Sequence, residues 1–182
     1  MLFASPGKEN TEHALRAGFE RGRELDINEV VVASTSGETG LLALDIFAGF
    51  RVTVVTYHAG FKEPFLPIMP EAKRAELTGK GARVISASHA LSGAERGLSK
   101  KHAGVYPVLL VADTLKLFGQ GTKVAVEVAL MAADAGALSG RDIVAVGGSS
   151  RGADTALVLK PAHCSTLFDL RIREIVCKPR TW

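Results

Sequence analysis

Apolar and polar positions along this chain fall into blocks that predict strands followed by helices. The β-branched run Val30-Val31-Val32-Ala33 lies between polar residues, and its length predicts a strand over 29–34. The segment 41–47 is apolar on most of its surface and predicts a buried helix. A second β-branched run, Val52-Thr53-Val54-Val55-Thr56, predicts the next strand. This order of strand, helix and strand is typical of a parallel sheet with a crossover helix.

The same alternation continues on both sides of this unit. Asn10 or Thr11 can cap a preceding helix that ends near Leu25, and Pro70 suits the start of a helix before a strand over 83–86. The stretch 92–104 is basic and polar and is assigned neither helix nor strand. The remaining predicted elements are helices over 106–118 and 123–135, and strands over 142–146, 155–159 and 170–177. We therefore expect an α/β fold.

The loop between the first strand and its helix has the composition of a phosphate-binding site. It reads Ser34-Thr35-Ser36-Gly37-Glu38-Thr39, so hydroxyls, a glycine and the free amides of a helix N-terminus converge there. The spacing Ser/Thr-x-Ser/Thr-Gly-x-Thr resembles the phosphate-binding loop of flavodoxins, which makes flavin mononucleotide (FMN) a candidate ligand. The alternative is that Ser36 or Gly37 only starts a helix, because serine is a preferred N-cap and glycine serves turns.

Two other loops follow predicted strand ends and supply further candidate residues for the ligand site. The candidates are Gly147, Gly148 and Ser149 in one loop, and His58, Gly60, Phe61 and Lys62 in the other. If the strand over 142–146 neighbours the first strand, its loop lies beside the bound phosphate. The long loop after the second strand can contact a ring and a charged substituent. A tight turn without a ligand and an ordinary surface loop are the alternatives.

Glu127 is the one charged residue in the apolar segment 124–133. A buried carboxylate there would have a raised pKa and could act as an acid, a base or a hydrogen-bond anchor. The alternative is an ion pair with Lys123, one turn earlier on the same helix. A phosphoryl-group enzyme with Glu127 or His58 as its acid–base residue is the weakest of the functional hypotheses, and the catalytic residues stay unassigned.

Length, charge and cysteine content exclude several classes of protein. A chain of 182 residues has material for one domain, taken as residues 1–182. The net charge of +3 is small and the charges are interspersed, so no nucleic-acid partner is expected. Two cysteines and five histidines without metal-ligand spacing predict no metal site and fit a reducing compartment. No apolar run approaches the roughly 20 residues of a spanning helix, so no membrane partner and a cytoplasmic location are expected.

Five segments resemble small stand-alone archaeal and bacterial proteins, largely uncharacterised, that are similar to the C-terminal α/β domain of pyruvate kinase. The segments are Ser5-Pro6-Gly7-Lys8-Glu9-Asn10-Thr11, the loop from Ser34 to Thr39, Gly60-Phe61-Lys62-Glu63, Lys123-Val124-Ala125-Val126-Glu127, and Arg151-Gly152-Ala153-Asp154-Thr155-Ala156 through Lys160-Pro161. The resemblance spans nearly the whole chain. It implies a three-layer α/β/α fold with a mostly parallel sheet, and it implies no established reaction.

The resemblance also bears on the ligand. In pyruvate kinase the corresponding loop holds a phosphate of the sugar-bisphosphate activator, which implies phosphate binding by Thr35, Ser36, Gly37 and Thr39. Glu38 stands where that loop often carries a basic residue, which argues against a sugar bisphosphate. The first hypothesis is therefore a protein that binds a phosphorylated small molecule, with FMN as the named cofactor. The second is a non-catalytic sensor for a phosphorylated metabolite such as a sugar phosphate. An apolar helix such as 124–133 leaves a homo-oligomer open.

Overall fold

The computed structural model describes residues 1–181, and this part of the chain contains seven strands and six α-helices. The strands are β1 (Leu2–Phe3), β2 (Glu29–Ala33), β3 (Arg51–Tyr57), β4 (Arg83–Ala87), β5 (Ile143–Gly147), β6 (Thr155–Lys160) and β7 (Arg171–Pro179). The helices are α1 (Thr11–Glu24), α2 (Glu38–Ile46), α3 (Glu71–Gly79), α4 (Gly93–His102), α5 (Pro107–Lys116) and α6 (Gln120–Asp134). The α/β fold predicted from the sequence is confirmed.

The strands form one sheet in the order β1-β7-β6-β5-β2-β3-β4. β2 pairs in parallel with β3 and with β5, and β3 pairs in parallel with β4. Only β6 runs against its neighbours, because it returns from β5 through a short loop as a hairpin. The sheet is therefore mostly parallel, as the resemblance implied.

The order of the strands reverses direction between β2 and β5. From β2 the chain moves outward through β3 to β4, and it then crosses back through α4, α5 and α6 to place β5 on the other side of β2. Ligands of open α/β sheets bind beyond the carboxyl ends of the strands at such a switch point. The loop from Ser34 to Thr39 follows β2, and the loop that begins at Gly148 follows β5. Both loops therefore lie at this switch point.

Helices cover both faces of the sheet and make a three-layer α/β/α arrangement. Leu15 of α1, Leu77 of α3 and Phe47, which directly follows α2, pack against one face. Ala112 of α5 and Leu130 of α6 pack against the other. The central strands are buried on both sides, which explains why their sequences are continuous apolar runs rather than alternating ones.

α2, predicted over 41–47, begins three residues earlier and spans Glu38–Ile46. Three further elements differ from the sequence prediction. α4 was not predicted, and none of its residues is buried, so the segment has no apolar stripe to give it a helical period. α6 begins at Gln120 rather than at Lys123, and Gly121 lies within its first turn. β1 is two residues long and is held by pairing with β7, a contact between the two ends of the chain that local sequence cannot indicate.

α6 is the central helix of the molecule. Twelve of its residues are buried, including every position from Ala125 to Ala133. The apolar segment 124–133 is thus part of the core, and its composition gives no support for a subunit interface there. Among the helices of residues 1–181, none is long and apolar enough to cross a membrane.

Candidate functional site

Two side-chain hydrogen bonds fix the conformation of the loop from Ser34 to Thr39. The buried Ser34 hydroxyl accepts a hydrogen bond from the Gly40 amide over 3.1 Å, inside the first turn of α2. The Thr56 hydroxyl, at the end of the neighbouring strand β3, donates to the Thr35 carbonyl oxygen over 2.9 Å. Gly37 precedes α2 with φ +97°, a conformation that favours glycine. Ser34 and Gly37 therefore shape the loop, while Thr35 and Ser36 are exposed.

The backbone of this loop carries unused donors. The N–H groups of residues 35–39 donate no hydrogen bond to any residue between 1 and 181. The last two of them belong to the first turn of α2, where the helix supplies no acceptor and its dipole favours negative charge. This is the geometry in which backbone amides bind a phosphate.

Lys73 brings a positive charge to the loop from α3, although no motif in the sequence marks this residue. Its side chain crosses Gly37 so closely that a Cβ on the glycine would lie 2.3 Å from the lysine Cγ. The Lys73 ammonium lies 3.2 Å from the Glu38 carboxylate and 3.0 Å from that of Glu76. Hydrogen bonds to Glu76 and Glu38 raise the pKa of Lys73, so it is charged at neutral pH. Lysine thus reaches the loop from α3 although position 38 itself is acidic.

The loop after β5 lies next to the first loop, as the sequence analysis anticipated for neighbouring strands. Its glycines have packing roles: a Cβ on Gly147 would lie 2.3 Å from the Gly121 carbonyl oxygen, and one on Gly148 would lie 2.2 Å from that of Gly152. The Ser149 amide donates to the buried Asp154 carboxylate over 3.1 Å, and the Ser149 hydroxyl has no partner among the described residues. Among the candidate residues of this loop, the Ser149 hydroxyl is therefore the group that is free to form a hydrogen bond with a ligand.

Four aromatic rings cluster where β3 and β4 end. The Tyr57 and Phe61 rings stack in parallel with centroids 4.1 Å apart. His89, which is one of the histidines without metal-ligand spacing, packs against both rings at 5.0 and 5.3 Å. His58 contacts Phe61 and His89 edge to face. The structure thus brings His58 and Phe61 together. Gly60, with φ +85°, lies in the turn between His58 and Phe61. The Lys62 side chain is exposed.

A buried ion pair on α6 lies beneath this aromatic cluster. Glu127 pairs with Lys123, and both side chains are less than one tenth exposed. The other oxygen of Glu127 accepts the Leu91 amide over 2.9 Å and so ties the segment after β4 to α6. The ion pair with Lys123, one of the two alternatives drawn from the sequence, is confirmed, and the hydrogen-bond anchor of the other alternative is present as well.

The family model described as pyruvate kinase, alpha/beta domain matches residues 12–159. The chain belongs to this family. The match covers the strands β2 to β5, every helix except the first residue of α1, and all three loops of the candidate site. The predicted resemblance is therefore confirmed, and with it the fold class.

Parts of the segments that carry the resemblance to the pyruvate kinase α/β domain lie at the carboxyl ends of the parallel strands, although the last of them continues along β6 to Lys160 at the other end. The Thr11 hydroxyl accepts the Ala153 amide over 3.1 Å and donates to the Lys8 carbonyl, so the first segment packs against the loop after β5. Ser34–Thr39, Gly60–Glu63 and the start of α6 lie at the same edge.

A cavity of about 450 Å³ lies at the opposite end of the strands, where β2 and β5 begin. Its lining residues are Leu25, Asp26, Ile27, Asn28, Gly140, Arg141, Asp142, Lys160 and Arg173. Two of the charged side chains in this cavity form an ion pair, since Arg173 lies 3.3 Å from Asp142. It contains no predicted site residue, and it lies at the amino ends of β2 and β5, away from the switch point. Within residues 1–181, no three His, Cys, Asp or Glu side chains form a group suited to a metal ion.

Proposed function

We propose that this protein binds a phosphorylated small molecule at the carboxyl edge of its sheet, with the phosphate on the loop from Ser34 to Thr39. The observation that carries the proposal is the row of unengaged amides at residues 35–39 beside the Lys73 ammonium. Amides fix the position of a phosphate, and a charge-assisted hydrogen bond from lysine strengthens its binding. The hydroxyls of Thr35, Ser36 and Thr39 add further donors.

FMN is the first ligand to test. The loop spacing resembles that of flavodoxins, and the ring of Phe61 is 44% exposed on the aromatic cluster near the end of the adjacent strand. A planar ring gains from stacking on such a surface. The Ser149 hydroxyl and Lys62 would lie on either side of the ligand. Bound FMN would supply redox chemistry, and the protein would supply its position and surroundings.

A non-catalytic sensor for a phosphorylated metabolite is the second candidate. Membership of the pyruvate kinase α/β domain family favours it, because the resemblance implies binding of an allosteric sugar phosphate at the corresponding loop. In this case ligand binding would act through contacts with other proteins or with a second copy of the chain.

The two candidates separate in one set of measurements. Mass spectrometry after denaturation identifies any co-purified ligand, and thermal-shift titrations compare FMN, sugar phosphates and inorganic phosphate. A ligand that binds only the folded protein raises its Tm with concentration. We expect Ser36→Asp to weaken binding at least about tenfold, because it places a negative charge against the phosphate. Ser165→Asp, at an exposed position of the 3-10 helix Cys164–Asp169, is the matched control.

The proposal fails if no phosphorylated compound raises the Tm and none co-purifies. FMN in particular is excluded if the protein has no flavin absorbance as purified and takes up none when FMN is added.

A further inference from the structure

The cavity at the amino ends of β2 and β5 has the size of a small-molecule site. Its volume of about 450 Å³ lies within the range of about 300–1,000 Å³ that is typical of ligand pockets. A sphere of this volume is roughly 10 Å across, so groups on opposite walls can contact the same small molecule. The loop from Ser34 to Thr39 lies at the other end of these strands, so the cavity is separate from the proposed phosphate site.

Five of the residues that line this cavity are charged. Two of them satisfy each other, because Arg173 lies 3.3 Å from Asp142. The side chains of Arg141, Lys160 and Asp26 form no hydrogen bond or ion pair with any residue between 1 and 181. The cavity therefore offers two cations and one carboxylate to a ligand.

Asp26 occupies a backbone position that favours glycine. It directly follows the end of α1 and has φ +54°. The Ile27 amide donates to the Gly22 carbonyl oxygen over 2.9 Å, which is the hydrogen bond of a helix end where glycine is the usual residue. Local structure thus gives no reason for an aspartate here, and residues that break a local preference are typical of functional sites. The place of Asp26 in the cavity wall supplies such a reason.

The two cations extend from backbone that the fold holds in place. The buried Glu29 carboxylate accepts the Ser139 amide over 3.2 Å and the Ser139 hydroxyl over 3.1 Å, and it also pairs with Arg51. The Ser139 hydroxyl oxygen in turn accepts the Arg141 amide over 3.4 Å. Lys160 is the last residue of β6. A ligand would therefore have to order side chains only, which lowers the entropic cost of binding.

We propose that this cavity binds a free amino acid whose side chain carries a carboxylate. Such a molecule has two carboxylates and one ammonium group, which is the complement of the two cations and one carboxylate in the cavity. Its carboxylates pair with Arg141 and Lys160, and its ammonium group pairs with Asp26. The guanidinium group suits this role because its planar fork matches the two oxygens of a carboxylate. A dicarboxylate without an amine would leave Asp26 unpaired, and an amide side chain would leave one cation unpaired.

Isothermal titration calorimetry with four small molecules tests this inference. The probes are L-glutamate and L-aspartate, glutarate, which lacks the amine, and L-glutamine, which lacks the second carboxylate. We expect one of the two acidic amino acids to bind, and glutarate and L-glutamine to bind at least about tenfold more weakly, because each loses one charged hydrogen bond. If neither acidic amino acid binds, or if glutarate or L-glutamine binds as tightly, the assignment is wrong.

Asp26→Gly separates a role in binding from a role in the fold. It introduces the residue that the helix end favours, so the Tm of the protein without ligand should rise. Affinity for the acidic amino acid should nevertheless fall about tenfold, and its advantage over glutarate should disappear. An advantage over glutarate that persists in Asp26→Gly would overturn the pairing with the ammonium group.

The cationic side of the cavity has its own variant and control. Arg141→Gln should weaken the acidic amino acid and glutarate alike, because both present a carboxylate to this residue. Lys101→Met removes an exposed charge of α4 and should change neither affinity. Equal affinities for wild type and Arg141→Gln would contradict the assignment. Since none of these variants touches the loop from Ser34 to Thr39, failure here leaves the proposed phosphate site unaffected.

Discussion

Lys73 and Glu38 set the charge at the loop from Ser34 to Thr39, although they come from different helices. The ammonium is shared between the carboxylates of Glu38 and Glu76, at 3.2 and 3.0 Å. Under the proposed function, a bound phosphate would compete with Glu38 for this cation. The sign of the charge at position 38 therefore sets how strongly the loop attracts an anion, and Lys73 limits the repulsion that an acidic residue would otherwise cause.

Substitution of either partner should change phosphate affinity in opposite directions. Lys73→Met removes the charge-assisted hydrogen bond and should weaken binding of a phosphorylated ligand by about tenfold. Glu38→Gln removes the competing carboxylate and should strengthen it. Lys80→Met, at an exposed position just after α3, is the control and should have no effect. Isothermal titration calorimetry with the ligand found by thermal shift measures all three. Equal affinities for wild type and Lys73→Met would show that Lys73 does not contribute to ligand binding.

Cys164 should react slowly despite its exposed position. Partial burial of the thiol, followed by its hydrogen bond with Asp134, raises the pKa of Cys164 to about 11. A raised thiol pKa favours the neutral form, so at pH 8 the thiolate fraction is about one in a thousand, against about one in ten for an ordinary thiol. Iodoacetamide should therefore modify Cys164 about 100-fold more slowly in the folded protein than in denaturant.

Asp134→Asn provides the internal check on this expectation. It removes the negative charge that disfavours the thiolate, so modification of Cys164 should accelerate while the fold persists. Mass spectrometry after timed quenching gives both rates. A folded-state rate equal to that in denaturant would contradict the elevated pKa.

At the scale of elements, the buried pair of Lys123 and Glu127 joins α6 to the turn after β4. Removing one partner leaves the other charge buried and unpaired, which costs about 3–5 kcal/mol of unfolding free energy. Lys123→Met and Glu127→Gln should each show such a loss in urea denaturation followed by circular dichroism. The double variant should be more stable than either single one, because the carboxamide oxygen introduced by Glu127→Gln would still accept the Leu91 amide and no charge would remain. If the loss of unfolding free energy in the double variant equals the sum of the two single losses, Lys123 and Glu127 are not coupled.

Close packing of α6 against the end of β5 depends on Gly147. A Cβ there would meet backbone atoms, the Gly121 oxygen at 2.3 Å and the Ala125 nitrogen at 2.7 Å, and neither can move aside as a side chain could. Gly147→Ala should cost about 1–3 kcal/mol or more in unfolding free energy. Gly97→Ala in α4, where a Cβ meets nothing within 4 Å, should instead stabilise by up to about 1 kcal/mol. Equal stabilities for the two variants would refute this account of Gly147.

Local sequence predicts what is built from consecutive residues, and the site illustrates the limit. Strand, loop and helix around Ser34 to Thr39 are contiguous, so their pattern indicates both the elements and the loop. Lys73 and His89 enter from other parts of the chain, and no period or motif marks them. α4 escaped prediction for a different reason: a helix without buried residues lacks the apolar spacing on which the prediction depends.

At the scale of the whole molecule, α5 is the candidate for contact with another copy of the chain. Leu110 is 55%, Leu117 70% and Phe118 51% exposed on or just after this helix, whereas the apolar α6 is buried within the chain. We predict that the protein self-associates through α5. Light scattering should then give a mass above that of the monomer, and Leu117→Glu with Phe118→Glu should reduce it. Phe168→Glu, 80% exposed on another surface, should not. A monomeric wild type would refute the prediction.

The neighbouring positions of β2 and β5 determine when during folding the proposed ligand site forms. Val32 pairs with Val146, so the two loops at the switch point meet only once β5 has paired with β2. Such long-range pairing is slow compared with the formation of local hairpins and helices. A nascent or truncated chain without β5 would display the Ser34 loop without its neighbour. Ligand capture would then act as a late step that selectively stabilises completed molecules and protects them from proteolysis.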